Sequence, residues 1–224
     1  MISRINRILS IIILLGILLG SALLVQISLS YLNFDPHYDF LETKQFIYHI
    51  RIWRWSFYVH VFLSFLLLLG GIIQFLPFIL RKFPRVHRIS GYIYFIVLIF
   101  LSGPAALIMS LYANGGIWAQ ISFTTLSIVW IGSTILAYIY VRKKNYLKHG
   151  NWLLRSYALT LSAITLRLYS FLIAHFHIDL SPKETYVLIS YINWIPNLLI
   201  AEILIRRGYV KSLLNAWTQS TKDA

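Results

Sequence analysis

The chain has 224 residues, of which 58% are hydrophobic and only 12% are charged, and its mean hydropathy is +0.71. Soluble domains carry about 25% charged residues, so the composition excludes a soluble domain and predicts a single transmembrane domain over residues 1–224. The net charge of +13 does not indicate nucleic-acid binding, because the basic residues cluster in short gaps between apolar runs. The absence of cysteine excludes disulfides, thiolate metal sites and covalently attached haem.

Six apolar runs are long enough to cross a membrane as helices, which requires about 20 residues each. They are residues 8–31, 53–80, 90–112, 117–141, 151–174 and 186–205. The sequence therefore predicts an all-α, polytopic, six-transmembrane-helix bundle, with an irregular outer loop over about residues 32–52. Gly103 and Pro104 in span three and Pro196 in span six predict interruptions inside those helices.

Basic residues are distributed unequally between the two ends of the predicted bundle. One set of gaps holds Arg4, Arg7, Arg81, Lys82, Arg85, Arg88, Arg142, Lys143, Lys144, Lys148, Arg206, Arg207, Lys211 and Lys222. The opposite gaps hold only Lys44, Arg51, Arg54 and Lys183. Because basic residues accumulate on the cytoplasmic side, we predict a multi-pass protein of the bacterial inner membrane, with both termini in the cytoplasm and the lipid bilayer as its surroundings.

Polar side chains in three spans fall on helix faces that should point into the bundle, away from lipid. These faces carry His60, Ser64 and Gln74 in span two, His87, Gly91 and Tyr94 in span three, and His149, Ser156, Thr160 and Arg167 in span five. Counting along the helices places His60 and Arg167 in the outer part of the membrane, and His87 and His149 at the cytoplasmic ends of their spans. The two outer residues and the two inner ones are therefore candidate sites at different depths.

Two arginines lie inside span five, where each costs roughly 2.5–3.5 kcal/mol on insertion scales. Arg155 can form a structural ion pair with Glu202 or extend to the lipid headgroups. Arg167 has no carboxylate at its depth in any span, which leaves the outer-loop acids, a group of helix carbonyls or a bound anionic ligand. The histidines have simpler alternatives as well: His87 and His149 can cap helices or touch lipid phosphate, and His60 can hydrogen-bond Ser64.

The motifs of spans two to five together resemble a bacterial family of predicted membrane proteins, domain of unknown function 2306. The matching residues are His60, Gln74-Phe75, His87-Arg88-x-x-Gly91-x-x-Tyr94, His149-x-x-Trp152-x-x-Arg155-Ser156-Tyr157-Ala158-Leu159-Thr160 and Thr165-Leu166-Arg167. The resemblance covers about residues 55–170 and departs at Leu153, where the family usually has methionine. It implies that His60, Gln74, His87, His149, Arg155 and Arg167 are the family's recurring polar residues, and it implies no activity.

One functional hypothesis is membrane electron transfer with haem b or a quinone, in company with a respiratory-chain redox partner. His87 and His149 are the predicted axial ligands of the haem iron, with Gly91 giving a flat macrocycle room and arginines holding its propionates. His60 can pair as a haem ligand only with an outer histidine, His49, His175 or His177, or it can bind a quinone headgroup together with Arg167. Small helical bundles with intramembrane histidines resemble b-type cytochromes and ferric reductases, an analogy of fold alone.

The alternative hypothesis is a non-catalytic membrane protein that assists assembly or binds a lipid or a small anion through its intramembrane arginines. A third possibility is an outer zinc or copper site, formed where Asp35, His37 and Asp39 meet His175, His177 and Asp179. Hydrolytic and nucleotide-binding motifs are absent from the sequence. The residues alone therefore do not establish whether the protein is an enzyme.

Overall fold

The computed structural model describes residues 4–220, and the side chains of residues 11–215. Within this part of the chain all regular structure is helical. The α-helices are α1 (Arg4–Ser30), α2 (Gln45–Tyr48), α3 (Arg51–Phe75), α4 (Pro77–Lys82), α5 (Pro84–Val97), α6 (Gly103–Ser110), α7 (Ile117–Arg142), α8 (Tyr146–Thr160), α9 (Ser162–His175), α10 (Pro182–Ile192), α11 (Ile195–Arg206) and α12 (Tyr209–Ser220).

Six continuous or interrupted helices are long and apolar enough to cross a membrane, which confirms the predicted six-helix bundle. They are Ile11–Asn33, Arg51–Phe75, Pro84–Ser110, Ile117–Arg142, Tyr146–His175 and Pro182–Arg206. Successive spans run in opposite directions, so residues 34–50, 111–116 and 176–181 lie at one end of the bundle, called here the loop end. Residues 76–83, 143–145 and 207–208 lie at the other, called the basic end.

Small residues allow the spans to pack closely, as is usual where lipid replaces water around a bundle. Gly71 of α3 faces the ring of Tyr157 in α8, and a Cβ atom at this glycine would lie 2.0 Å from a ring carbon. The Tyr157 hydroxyl donates a hydrogen bond to the carbonyl of Leu68 (3.2 Å), and its ring stacks on Phe75. This contact fixes α3 against α8 in the middle of the bundle.

Three spans are interrupted within the membrane. Span three contains a π-helical turn, Leu98–Ser102, directly before Gly103 and Pro104, and span six is interrupted between α10 and α11, just before Pro196. Both interruptions fall where the sequence predicts them. The interruption of span five at Leu161 was not predicted, because no glycine or proline marks it. Hydroxyl side chains of Thr160 and Thr165 bond to helix carbonyls one turn earlier there, a contact that often bends helices.

The predicted irregular outer loop is a folded cap, defined here as residues 31–50. It contains two 3₁₀ segments, Tyr31–Asn33 and Asp39–Lys44, followed by α2. Leu41 is fully buried, and it packs with Tyr31, Trp53 and Phe57 in an aromatic cluster at the loop end. The cap therefore covers the end of the bundle rather than extending into solvent.

Lys44 joins the cap to the turn between α6 and α7. Its Nζ donates hydrogen bonds to the carbonyl of Tyr112 and to Oδ1 of Asn114, both at 2.6 Å, and lies 5.4 Å from the centroid of the Phe40 ring. The side chain is only 4% exposed. Desolvation by this burial lowers the pKa of Lys44 from 10.5 to about 8, because removing water disfavours the charged ammonium.

Two short helices, α4 and α12, lie at the basic end outside the spans. The prediction that span two continues to residue 80 is wrong, because the helix ends at Phe75 before Pro77, and α12 was not predicted. Helix α12 packs on α4 and α8. Val210 of α12 is buried against Gly150, where a Cβ atom would lie 2.5 Å from a valine methyl group. Because α12 has a low mean hydropathy and a one-sided apolar face, a search for long apolar runs does not detect it.

Replacing Gly71 with alanine should lower the thermal stability of the purified protein, because the added methyl group overlaps the Tyr157 ring; overpacking of this kind costs about 1–3 kcal/mol. Gly132→Ala is the matched control, since a Cβ atom there meets nothing within 4 Å. Melting curves in one detergent measure both variants. Equal melting temperatures for the two would show that the helices do not pack at Gly71 as described.

The lowered pKa of Lys44 predicts a pH-dependent stability. Between about pH 8 and pH 10.5 the folded protein has released the Lys44 proton while the unfolded chain still binds it, so the free energy of unfolding must rise with pH. The full gain is on the order of 3 kcal/mol. We expect the melting temperature of wild type, relative to Lys44→Met, to increase between pH 7 and pH 10.

The exposed Lys183 lies at the same end of the bundle and provides the control, Lys183→Met. The difference in melting temperature between wild type and Lys183→Met should be the same at pH 7 and at pH 10. A wild-type advantage over Lys44→Met that stays constant or shrinks with rising pH would show that the Lys44 ammonium is not desolvated.

Candidate functional site

A cavity of about 600 Å³ occupies the half of the bundle nearest the loop end, and its volume is typical of small-molecule sites. All six spans and the cap contribute side chains to its wall. Most of these are apolar, among them Leu24, Phe65, Leu126 and Leu166. The cavity is therefore suited to a molecule that is mainly hydrocarbon.

The cavity is elongated along α3. Its wall includes one face of that helix from Trp53 to Leu68, a distance of roughly 22 Å at 1.5 Å per residue. The charged side chains in the wall are Asp39, Lys44 and Arg167, all in its part nearer the loop end. The shape and this one-sided polarity match an amphiphile that lies parallel to the spans, with its polar group toward the cap.

Arg167 lies in the cavity wall, and its guanidinium forms no hydrogen bond or ion pair with any residue that the structure describes. Tyr31, Asp39 and Tyr186 are close enough to interact with it electrostatically. Asp39 is the acidic residue among these three. Its carboxylate accepts a hydrogen bond from the Tyr31 hydroxyl (3.0 Å) and lies beyond ion-pair distance of Arg167. The described outer-loop acids and carbonyls thus leave this charge without a direct partner.

The wall of the cavity carries an excess of positive charge. Lys44 and Arg167 are cations and Asp39 is the single carboxylate among the lining residues, so the balance is one positive charge. The indole N–H of Trp53 also lacks a hydrogen-bond partner within the described residues, but it is buried out of reach of a molecule in the cavity. A surplus cation in a mostly apolar wall is the feature expected around an anionic ligand group.

His60 faces the same cavity, and its ring is held from one side. Nδ1 lies 3.2 Å from the Ser102 carbonyl and 3.1 Å from the Ser102 hydroxyl. The ring also meets the edge of Trp130 at 6.4 Å between centroids. The predicted contact with Ser64 is present in another form: the Ser64 hydroxyl donates to the backbone carbonyl of His60.

Gln74 and Tyr94 form hydrogen bonds that join helices. Gln74 is buried, and its amide donates to the His87 carbonyl (2.9 Å) and to the Ser90 hydroxyl (2.6 Å), joining α3 to α5. The hydroxyl of Tyr94 is within 2.7 Å of the hydroxyls of both Ser156 and Thr160, joining α5 to α8. Of Ser156 and Thr160, only Thr160 belongs to the cavity wall. Gln74 and Tyr94 are therefore not part of the site that contains His60 and Arg167.

His87 and His149 lie together at the basic end, near enough for their rings to interact electrostatically. Nδ1 of His149 is 2.9 Å from the Ala137 carbonyl, and Nδ1 of His87 is buried with no described partner. The space over the adjacent glycines is filled, however. Gln74 covers Gly91, with its amide atoms 3.2–3.6 Å from a Cβ built there, and Val210 covers Gly150. A haem between these histidines therefore requires both side chains to move.

Arg155 forms the structural ion pair that the sequence allowed. Its Nε and Nη2 contact the two carboxylate oxygens of Glu202 at 2.5 and 2.9 Å, and its guanidinium stacks 4.4 Å from the centroid of Trp152. The pair joins span five to span six and compensates the charge. Arg155 is thus separate from the cavity and differs from Arg167 in having a partner.

The predicted outer metal site is wrong. Within the described residues, no three histidine or acidic side chains come close enough together to hold a metal ion. His37 instead contacts Glu42 at 3.2 Å, Asp39 binds Tyr31, and the His175 ring stacks on Phe171. The two acidic and histidine-rich segments are polar surface of the loop end.

The sequence analysis missed several residues of the cavity wall, chiefly Tyr31, Asp39, Lys44, Trp53 and Asn193. A signal was present for Lys44, which lies between Phe40, Leu41, Ile47 and Tyr48 at helical spacing, a pattern that places a lysine against an apolar face. Asn193 precedes Trp194 and Pro196, where an interrupted helix needs side chains to bond free backbone groups. Its amide does so, donating to the carbonyls of Ile189 and Ser190.

Comparison with known proteins agrees with this architecture. The family model of DUF2306, described as "Predicted membrane protein", matches residues 57–205 and so extends beyond the predicted 55–170 into span six. This region contains His60 and Arg167 but not the cap. No curated protein and no solved structure matches the chain. Because the match covers more than half of its length, the chain belongs to the DUF2306 family of predicted membrane proteins.

Proposed function

We propose that the cavity binds a single elongated amphiphile with an acidic headgroup, a carboxylate or a phosphate, and that Arg167 is its counter-ion. The observation that carries the proposal is the guanidinium of Arg167, exposed in an apolar cavity without a hydrogen bond or ion pair inside the described part of the chain. The protein then acts as a non-catalytic lipid-binding protein, embedded in the bacterial inner membrane with its termini in the cytoplasm.

The two arginines of span five differ in how their charges are compensated. Arg155 is compensated by a bidentate carboxylate, the geometry that guanidinium groups favour. Arg167 is exposed in the cavity wall, about 12 Å from the loop end of its helix counting from His175, and a charge without a partner inside a membrane-spanning segment is costly. A carboxylate or phosphate at the head of a lipid-like chain offers it the same bidentate partner that Glu202 offers Arg155.

The remainder of the cavity supports the same ligand class. Lys44 lies in the wall near the cap and adds a positive charge at the end of the cavity that faces the acidic group. The apolar face of α3 toward Leu68 accommodates the chain. Arg167 and His60 belong to the region that the family model matches, whereas Lys44 and Trp53 precede it. We therefore assign ligand binding to the family core and closure of the site to the cap.

A quinone is the second candidate ligand, in line with a role in electron transfer beside a redox partner. The observation that favours it is His60, which shares the cavity with Arg167 and can contact a ring oxygen. A neutral quinone leaves the surplus positive charge of the wall uncompensated, so we place it after the acidic amphiphile. Haem b between His87 and His149 ranks below both, because Gln74 and Val210 fill the space over the adjacent glycines.

Arg167→Gln should abolish the preference for acidic amphiphiles. We expect purified wild-type protein to bind palmitate or hexadecyl phosphate about 10- to 100-fold more tightly than hexadecanol, the effect of one charge-assisted interaction. Equilibrium binding of the radiolabelled acids, with hexadecanol as the competitor of equal chain length, measures this ratio. The better of the two acids identifies the headgroup as carboxylate or phosphate.

The control is Arg142→Gln, which removes an exposed arginine at the basic end and should keep the wild-type ratio. Hexadecanol that competes as well as the acids, or an Arg167→Gln protein with the full preference, would contradict the proposal. Decylubiquinone that competes more strongly than either acid would establish the second candidate instead.

An optical spectrum tests the haem hypothesis separately. Protein produced with ample haem should show no near-stoichiometric b-type α-band after reduction with dithionite, because the space beside the histidine pair is filled. A sharp reduced band that is present in wild type and lost in His149→Ala would instead establish haem binding at the basic end.

A further inference from the structure

The carbonyl of Ser102 determines which ring nitrogen of His60 carries the proton. Ser64 donates its hydroxyl proton to the backbone carbonyl of His60. The Ser64 and Ser102 hydroxyl oxygens are 3.4 Å apart, which is longer than an ordinary O–H···O hydrogen bond, so this contact does not fix the Ser102 proton. A carbonyl oxygen, in contrast, can only accept a hydrogen bond.

Nδ1 of His60 lies 3.2 Å from this carbonyl and 3.1 Å from the Ser102 hydroxyl. Nδ1 must therefore carry the proton. In a neutral imidazole with a proton on Nδ1, Nε2 has a free lone pair and acts as an acceptor. Nε2 forms no hydrogen bond with the described residues, although His60 lines the cavity.

A second acceptor near the wall also lacks a donor, but a ligand cannot reach it. Oδ1 of Asn193 has no described partner, and the residue is fully buried. The wall thus combines a cation without a direct partner, Arg167, with one acceptor that faces the cavity, Nε2 of His60. An acid alone satisfies only the cation.

We infer that the ligand is a hydroxylated acidic amphiphile, whose hydroxyl group donates a hydrogen bond to Nε2 of His60 while its acidic group contacts Arg167. This inference rests on the proposed function and specifies its substrate class. His60 and Arg167 interact electrostatically, and each lies about 12–14 Å from the loop end of its helix, counting from Arg51 and from His175. For an amphiphile that lies parallel to the spans, similar depths place the hydroxyl group at the acidic end of the chain.

The test compares palmitate with 2-hydroxypalmitate, 3-hydroxypalmitate and 3-methoxypalmitate, as competitors of radiolabelled palmitate on the full-length protein. One hydroxy acid should bind about fivefold more tightly than palmitate, the effect of one neutral hydrogen bond. The methoxy acid, which cannot donate, should show no gain. His60→Phe should abolish the ratio between hydroxy acid and palmitate, and His60→Gln, whose amide oxygen is an acceptor, should restore part of it.

The outcomes separate the two proposals. Palmitate binding with no preference for either hydroxy acid would overturn the assignment of His60 and leave the acidic amphiphile standing. Failure of all the acids to bind would contradict the proposed function itself. A preference that survives in His60→Phe would also overturn the inference, and melting curves of both His60 variants confirm that the comparison is made on folded protein.

Discussion

The rest of the structure depends on Arg167, an arginine that borders a mostly apolar cavity and has no hydrogen-bond or ion-pair partner in the described part of the chain. A bundle of six helices can bury an arginine cheaply when a carboxylate meets it, as Glu202 meets Arg155. Arg167 lacks such a partner within the described residues and instead borders a cavity. Since a charge in that position is expensive, its presence is best explained by a ligand that supplies the opposite charge.

The fold produces the cavity by interrupting helices and closing one end. Span three turns through a π-helical segment before Pro104, span five bends at Leu161, and span six is interrupted at Asn193. Side chains bond to backbone carbonyls at these points: His60 at Ser102, Thr165 at Leu161, and Thr165 and Asn197 at Asn193. Such contacts allow irregular helices inside a membrane protein. The cap completes the wall, with Lys44 joining it to the turn after α6.

Most of the architecture could be predicted from the sequence, because lipid imposes strong rules on it. Apolar runs gave the six spans, and helical periodicity placed His60 and Arg167 on inward faces. The ion pair of Arg155 followed from its depth. The cap did not follow, because its helices are short and its burial depends on contacts between distant parts of the chain, such as Lys44 with Tyr112. The haem hypothesis required empty space beside Gly91. Whether such space exists depends on how distant side chains pack, and Gln74 fills it.

The division of roles within the site also depended on three-dimensional contacts. Gln74 and Tyr94 belong to the polar faces that the sequence predicts, yet each forms hydrogen bonds with a neighbouring helix instead of lining the cavity. The position of a residue on a helix face indicates where its side chain points, but not whether its polar group finds a partner within the protein. The presence or absence of such a partner distinguishes the structural residues Gln74 and Tyr94 from the proposed binding residues His60 and Arg167.

Native mass spectrometry of the protein released from its own membrane tests the central claim most directly. Wild-type protein should carry one tightly bound acidic amphiphile, and Arg167→Gln protein prepared in the same way should lack it. Wild-type protein with no bound molecule, or both proteins with the same bound molecule, would contradict the assignment of Arg167 as a ligand's counter-ion.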